Sequence, residues 1–411
     1  MDKWIPPTVV ILLVLIIIYP IVLLILGILA AFYFLILSFF NLRTPPPYLS
    51  LTEDGNIVIN WFAKQGQKTA LHVIHDENTP NVYTPTKQIT NKYTAQYSIN
   101  SVVIPDLPYG RKIAYQIVKY IDNSEESSTR TLFGGPNYYL KRPPKHISET
   151  AGLNAVAFGD LQPKAGIIPL IQWLAIRQAA RQPVDVIFFL GDHTMEGISP
   201  AAWRQFYHLI GKIARNTPLL GVPGNHDTKL RRKHGPRNIR DAFSTHVNYP
   251  QEKFRYFVEF ADLQVLAFDF HSGFDLDSDN YALFEDHVEK LKEDKWVLGL
   301  WHSSPHNTLL PTPQVEDLRE NLLPQLTAKG CQLWLGGHEH SYQKFKINST
   351  YFLTSAATSS FHDHFDNEEH LEKLEMHYHV MRLKFFPNRC DIRAISIWGK
   401  ELDAFSIMKN Q

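Results

Sequence analysis

The chain has 411 residues, with 41 Lys and Arg against 41 Asp and Glu and only two cysteines. That length leaves room for two soluble domains plus an anchoring segment, and the balanced charge offers no basic excess for a nucleic-acid partner. Cys331 and Cys390 are too few for a disulfide framework; one bridge or two buried thiols both fit, so the redox compartment stays open.

Residues 9–40 carry no charge and are dominated by Ile, Leu, Val and Phe. At 1.5 Å per residue such a helix exceeds the ~30 Å hydrocarbon core of a bilayer. It is also well beyond the ~7–15 apolar residues of a cleaved signal peptide. A single-pass transmembrane helix within residues 1–43 is therefore predicted, kinked at Pro20, because the piece before Pro20 is too short to cross alone. Lys3 on one side, with Arg43 and Lys64 on the other, gives the positive-inside rule little to count. The orientation adopted puts the N-terminus in the cytoplasm and the rest of the chain on the extracytoplasmic side.

Thr44-Pro45-Pro46-Pro47 reads as a short stiff linker. The region 44–140 then shows short alternating strands between turn residues, at 57–62, 71–74, 93–99, 101–104, 112–120 and 129–133. An all-β sandwich is predicted, with Trp61, Leu107 and Tyr115 as core anchors.

Across 150–411 the period changes. Residues 153–158 and 184–190 are near-continuous apolar runs, as expected of strands buried on both faces. Further buried strands are predicted at 219–222, 297–301 and 332–335, helices at 167–181 and 201–215, and a hairpin over 254–260 and 263–270 turning at Ala261-Asp262. Five polar segments fall at or just beyond strand ends, where ligands of such sheets sit. They read GDLQ (159–162), LGD (190–192), GNHD (224–227), WHSSPH (301–306) and GGHEH (336–340).

Taken singly, each polar residue has a structural reading. Asp160 and Asp192 suit helix caps or turns, Asn225 a left-handed turn, and an isolated His302, His338 or His340 a core or surface histidine. Taken together and in order, the set supplies the oxygen and imidazole donors of a two-metal hydrolytic centre, in which cations ~3.5–4 Å apart need a bridging anion.

These segments resemble the calcineurin-like metallophosphoesterase superfamily over residues 152–398, with purple acid phosphatases as the nearest branch. Trp61 on an early strand, followed by Val-Ile-Pro-Asp-Leu-Pro-Tyr-Gly, is similar to the fibronectin type III-like module that precedes the catalytic domain of purple acid phosphatases. The resemblance implies an α/β fold of two packed mixed sheets flanked by helices. It implies two divalent or trivalent metals, drawn from Mn, Fe and Zn, bridged by Asp192. One metal would also take Asp160 and His340, the other Asn225, His302 and His338. His226 would face the substrate, steadying phosphoryl charge or protonating the leaving group. Asp227 would orient that imidazole or simply hold the loop, and His193 would support the centre from behind.

Two positions depart from the family pattern. Gln162 stands where many relatives have histidine and offers only a neutral carbonyl oxygen as a ligand. Met195 stands where purple acid phosphatases carry a tyrosinate, so no purple iron(III) chromophore is expected. The His-rich stretch 359–379 and the basic residues Lys229, Arg231, Arg232 and Lys233 read as solvated loops in preference to a substrate or accessory metal site.

The function implied is a membrane-anchored phosphohydrolase acting on phosphomonoesters by attack of a metal-bound hydroxide. The alternative within enzymes is cleavage of a phosphodiester or pyrophosphate on a nucleotide or lipid; the alternative of another class is a non-catalytic binding protein.

Overall fold

The computed structural model describes residues 44–409 except 75–79, 91–93, 122–128, 134–136, 164–169, 229–254, 357 and 362–368, and also positions 19, 21–25, 27, 28 and 31. Those last positions are helical. The rest of the membrane span predicted at 9–40 lies outside the described residues, as do Lys229, Arg231, Arg232, Lys233, His362 and His364. Among the described residues no helix is long and apolar enough to cross a membrane. Thr44–Gln411 forms one compact unit.

Alternating apolar residues fold the N-terminal part into two antiparallel sheets. The first has the order β1 (Tyr48–Leu51), β2 (Ile57–Lys64), β6 (Tyr97–Ile104), β5 (Lys87–Ile89). The second runs β4 (Asn81–Tyr83), β3 (Thr69–Ile74), β7 (Lys112–Tyr120), β8 (Thr129–Thr131), with β9 (Tyr138–Lys141) also on β7. Trp61, Leu107 and Tyr115 are buried in its core as predicted. The two strands predicted at 93–99 and 101–104 are one. Ser101 donates to Asn60 at 2.8 Å and Gln88 to Asn100 at 2.9 Å, so polar side chains inside β6 are satisfied without breaking the ladder.

Two larger sheets follow. In the first, β12 (Leu219–Gly221), β11 (Val186–Phe189) and β10 (Leu153–Phe158) are parallel neighbours, and β20 (His379–Phe385), β21 (Arg389–Ser396) and β22 (Glu401–Met408) extend the sheet antiparallel. In the second, β14 (Leu263–Ala267), β15 (Trp296–Ser303), β16 (Cys331–Gly337) and β18 (Thr350–Ser355) are parallel. Strand β13 (Tyr256–Phe260) lies at one edge, β17 (Tyr342–Ile347) and β19 (Leu371–Glu375) at the other. Helices α1 (Leu170–Ala179) and α2 (Pro200–Ala214) link β10, β11 and β12. Ser199 caps α2 by accepting from the Ala202 amide, with Pro200 in the first turn, where its missing N–H costs nothing.

The sandwich is fused to this body. Tyr48 stacks on Tyr207 of α2 at 4.2 Å, the Tyr115 hydroxyl donates to the Arg215 carbonyl at 2.6 Å, and Leu49 bridges to Pro218. A Cβ at Gly211 would strike Pro46, so the linker lies directly on α2. One apolar cluster runs through both parts, from Trp61 to Phe158 and Phe189.

Candidate metal centre

Strand order puts the carboxyl ends of β10, β11, β15 and β16 together, and the short helix α3 (Asn225–Thr228) follows β12 to the same place. Asp160, Gln162, Asp192 and His338 all adopt left-handed backbone, with φ of 58°, 43°, 53° and 70°. For residues with a Cβ this is a strained turn. It swings each side chain out of its strand line and into the space between the sheets' ends. Gly191, at φ 90°, leaves room that a Cβ would take from the His302 ring, and a Cβ at Gly224 would strike the Asp192 carboxylate.

The donors converge. Asp160, Asp192 and His302 each offer an atom within 4.8 Å of the others, and all three are buried. His302 Nε2 lies 3.5 Å from Asp192 Oδ1 and 3.1 Å from Asn225 Oδ1. His338 Nδ1 is 3.0 Å from the same Asn225 oxygen, and His340 Nε2 is 3.1 Å from Asp160 Oδ1. The outward nitrogens are held from behind: His302 Nδ1 donates to the Leu190 carbonyl at 2.7 Å, and His340 Nδ1 meets the Ser360 hydroxyl at 2.6 Å. Such outer hydrogen bonds fix ring orientation and tautomer for ligation.

Burial and the neighbouring Asp192 charge push Asp160 well above the usual carboxylate range; burial and Asp227 push Asp192 upward. Burial lowers His302 to about 3 and lowers His340 as well, so both imidazoles are neutral, the form that binds metal. Two buried carboxylates that repel each other beside two neutral imidazoles form a donor set that cations would stabilise. Burial, then the Asp160 charge, raises Glu339 between the two histidines to about 8.

The contacts of Gln162 and Asp227 bear on the readings the sequence left open for them. The Gln162 amide donates to Asp192 Oδ2 at 2.6 Å, and its carbonyl oxygen accepts from Ser359 at 3.3 Å. It steers the Asp192 carboxylate through its N–H and turns its oxygen toward Ser359. Asp227 does not orient the His226 imidazole. Its carboxylate takes His193 Nδ1–H at 2.8 Å and the amides of His193, Thr194 and Gly224 at 3.0–3.1 Å. The short turn of α3 points it inward, while the His226 ring lies by the Met195 carbonyl at 3.4 Å, and the His226 amide donates to Asp192 Oδ1 at 2.8 Å. Burial would raise Asp227, but the His193 charge and these donors outweigh it and draw the carboxyl below its ordinary value. Sequence reasoning missed Ser359, Ser360 and Phe270, whose ring stands 5.1 Å from that of His302 and 5.6 Å from that of His338. None sits in a motif; only the chain's path brings them in.

A site of this kind at the strand ends of an α/β sandwich defines a metal-dependent phosphoric ester hydrolase. Residues 153–342 match the family model of calcineurin-like phosphoesterases, and the chain carries that domain. A purple acid phosphatase, PPD1, from yellow lupin (Lupinus luteus) seeds is similar in fold, with a TM-score of 0.77 at 15% identity over 90% of this chain and 75% of that one. A protein described as PhoD gives a TM-score of 0.61 at 10% identity, covering 89% of each chain. No curated protein sequence matches the chain.

Proposed function

We propose that the chain hydrolyses phosphomonoesters at a two-metal centre held by Asp160, Asp192, Asn225, His302, His338 and His340. The observation that carries this reading is the meeting of those six donors from five separate strand ends. Asp192 stands between the Asp160–His340 pair and the Asn225–His302–His338 group, the place of a bridging ligand. Bound there, two metals of the Mn, Fe or Zn kind would supply Lewis acidity and lower the pKa of a water nucleophile.

The protein's own groups do the rest. The His226 Nδ1 faces the Met195 carbonyl; as imidazolium, with both nitrogens carrying hydrogen, its Nε2 would donate to a phosphoryl oxygen or protonate the leaving group. Asp227 and His193 fix the two loops that present Asp192 and Asn225. Gln162 holds Asp192 by its amide and turns its oxygen to Ser359, so a metal beside Asp160 would have one strong protein donor fewer than its neighbour and would be held more loosely.

The same proposal places a membrane-spanning helix in residues 1–43, a fibronectin type III-like sandwich in 44–140, supported by its two antiparallel sheets, and the catalytic domain in 150–411 outside the cytoplasm. Metal analysis with turnover of p-nitrophenyl phosphate against its bis-ester tests the chemistry. Preference for the monoester, and loss of turnover in His226→Ala with metal retained, are expected. A folded protein that cleaves neither ester with Mn, Zn, Fe or Co would be the binding protein instead; faster turnover of the bis-ester would make it a phosphodiesterase.

A further inference from the structure

We infer that the pole of the body opposite the metal centre is a docking surface for an anionic bilayer, which leaves the active site facing solvent and a soluble phosphate ester. The inference rests on the anchor proposed above. A cavity of about 500 Å³ lies at this pole, and a second of about 440 Å³ adjoins it along the flank, the two sharing Arg181 and Lys212. The first also exposes Lys112 and Lys141, the second Arg177. The carboxylate lining them among the described residues, Asp185, is already held by Lys141 at 2.9 Å and by the Asn154 amide at 3.0 Å. The balance left is cationic.

Aromatic residues border the basic ones. Tyr139, lining the first cavity with the Lys112 ammonium over its ring, is 43% exposed, and so is Trp173, with the Arg177 guanidinium over its ring. Exposed tryptophan beside arginine and lysine suits the headgroup layer, where an indole sits partly apolar and partly wet and basic side chains meet lipid phosphate.

Position selects the occupant. The first cavity is lined by Val184 and Asp185 before β11 and by Asn216 and Thr217 before β12, at the amino ends of strands whose carboxyl ends lead to Asp192 and Asn225. The seven residues from Asp185 to Asp192 put roughly 23 Å between pole and centre. The chain enters the folded body at the same pole: Pro46 packs on Gly211, next to Lys212, and Leu49 bridges to Pro218. The uncharged run 9–40 ends only a few residues before Pro46. A bilayer holding that run lies within reach of these cations.

The test uses the full chain in vesicles of phosphatidylcholine alone or with phosphatidylglycerol, read by flotation and by amide hydrogen exchange. Flotation with neutral vesicles reports the anchor. Docking is reported by slower exchange at 177–183 and 212–217 in the anionic vesicles only, lost in 0.5 M salt and in Arg181→Glu/Lys212→Glu. At about fivefold per basic residue near an anionic surface, the double variant loses protection by about 25-fold or more and keeps wild-type turnover of p-nitrophenyl phosphate. Flotation with no lipid-dependent protection overturns the docking surface and leaves the anchor standing. A chain that fails to float on neutral vesicles sinks the anchor; it still supports docking if anionic vesicles protect these segments, and overturns it if they do not. Protection at the Asp192 loop in place of the pole also overturns it.

Discussion

The Asp227 carboxylate accepts the Nδ1–H of His193 at 2.8 Å, with both side chains fully out of solvent. Because the same carboxylate takes the backbone amides of His193, Thr194 and Gly224, it ties the loop that follows Asp192 to the loop that carries Asn225. The aromatic rings of Phe189, Trp203 and Phe206 enclose His193, so the pair sits in an apolar wall behind the centre.

Removing one partner of such a pair leaves the other's charge and donors unpaired in the interior. Asp227→Ala is expected to lower stability by about 3–5 kcal/mol, measured by urea unfolding. It should also weaken metal binding, since Asp192 and Asn225 lose their common brace. Asp227→Asn keeps the shape but turns an amide N–H toward donors, and should fall between. An alanine variant with wild-type stability would show that the loops are held by other contacts.

Asp160 gives a prediction about metal removal. Its carboxyl is raised in the folded chain by burial and by Asp192. A raised folded pKa favours the fold below the ordinary carboxylate value and withdraws that contribution as pH rises through the folded value. Chelated protein should therefore lose stability as the buried pair ionises, and added metal should restore it. Asp160→Asn removes the charge: with chelator present it should melt above wild type at neutral pH, the gain vanishing below about pH 4, while metal raises its melting temperature by less than it raises that of wild type. A chelated variant that melts below wild type at neutral pH counts against the repulsion.

The side chains that meet at the strand ends were legible because each sits in a motif at the end of an apolar run, as Phe158 precedes Gly159-Asp160 and Leu190 precedes Gly191-Asp192. Helix α2, expected at 201–215, runs from Pro200 to Ala214 behind the Ser199 cap. What the sequence hid is set by distance along the chain. Ser360 reaches His340, and Asp227 finds His193 across 34 residues, through backbone paths that no local pattern encodes. Strands β20, β21 and β22 were not predicted: Arg389 to Ser396 alternates Arg and Asp with buried Cys390, Ile392 and Ala394, a pattern weaker than the continuous apolar runs of β10 and β11. Of the two roles open to Asp227, holding the loop is the one its contacts show, because adjacent residues in the tight turn of α3 point apart.

His379 supplies a stability test away from the donors. It is fully buried, meets the Ser355 hydroxyl at 3.0 Å, and burial draws it down to about 4. With its folded pKa depressed, its contribution is present above the ordinary histidine value and is lost as pH falls from about 6.5 toward 4. His379→Gln, which keeps a hydrogen-bonding group without the charge change, should lose less melting temperature than wild type over that interval. Parallel pH profiles for the two proteins would mean that His379 is not protonated on unfolding there.

Gly55 tests whether sandwich and catalytic body fold as one. It turns at φ 69° between β1 and β2, and a Cβ there would lie 2.8 Å from the Phe260 Cβ and 3.1 Å from the Glu259 carbonyl, backbone and side chain of β13. The Glu259 amide also donates to the Glu53 carbonyl at 3.0 Å. Gly55→Ala is therefore strained in dihedral and in space, at a cost of about 1–3 kcal/mol. Since Tyr48, Phe62 and Tyr207 share one apolar cluster across the junction, the loss should lower a single calorimetric transition that includes both parts. Two separate transitions, with only the smaller shifted by the alanine, would show the sandwich melting by itself.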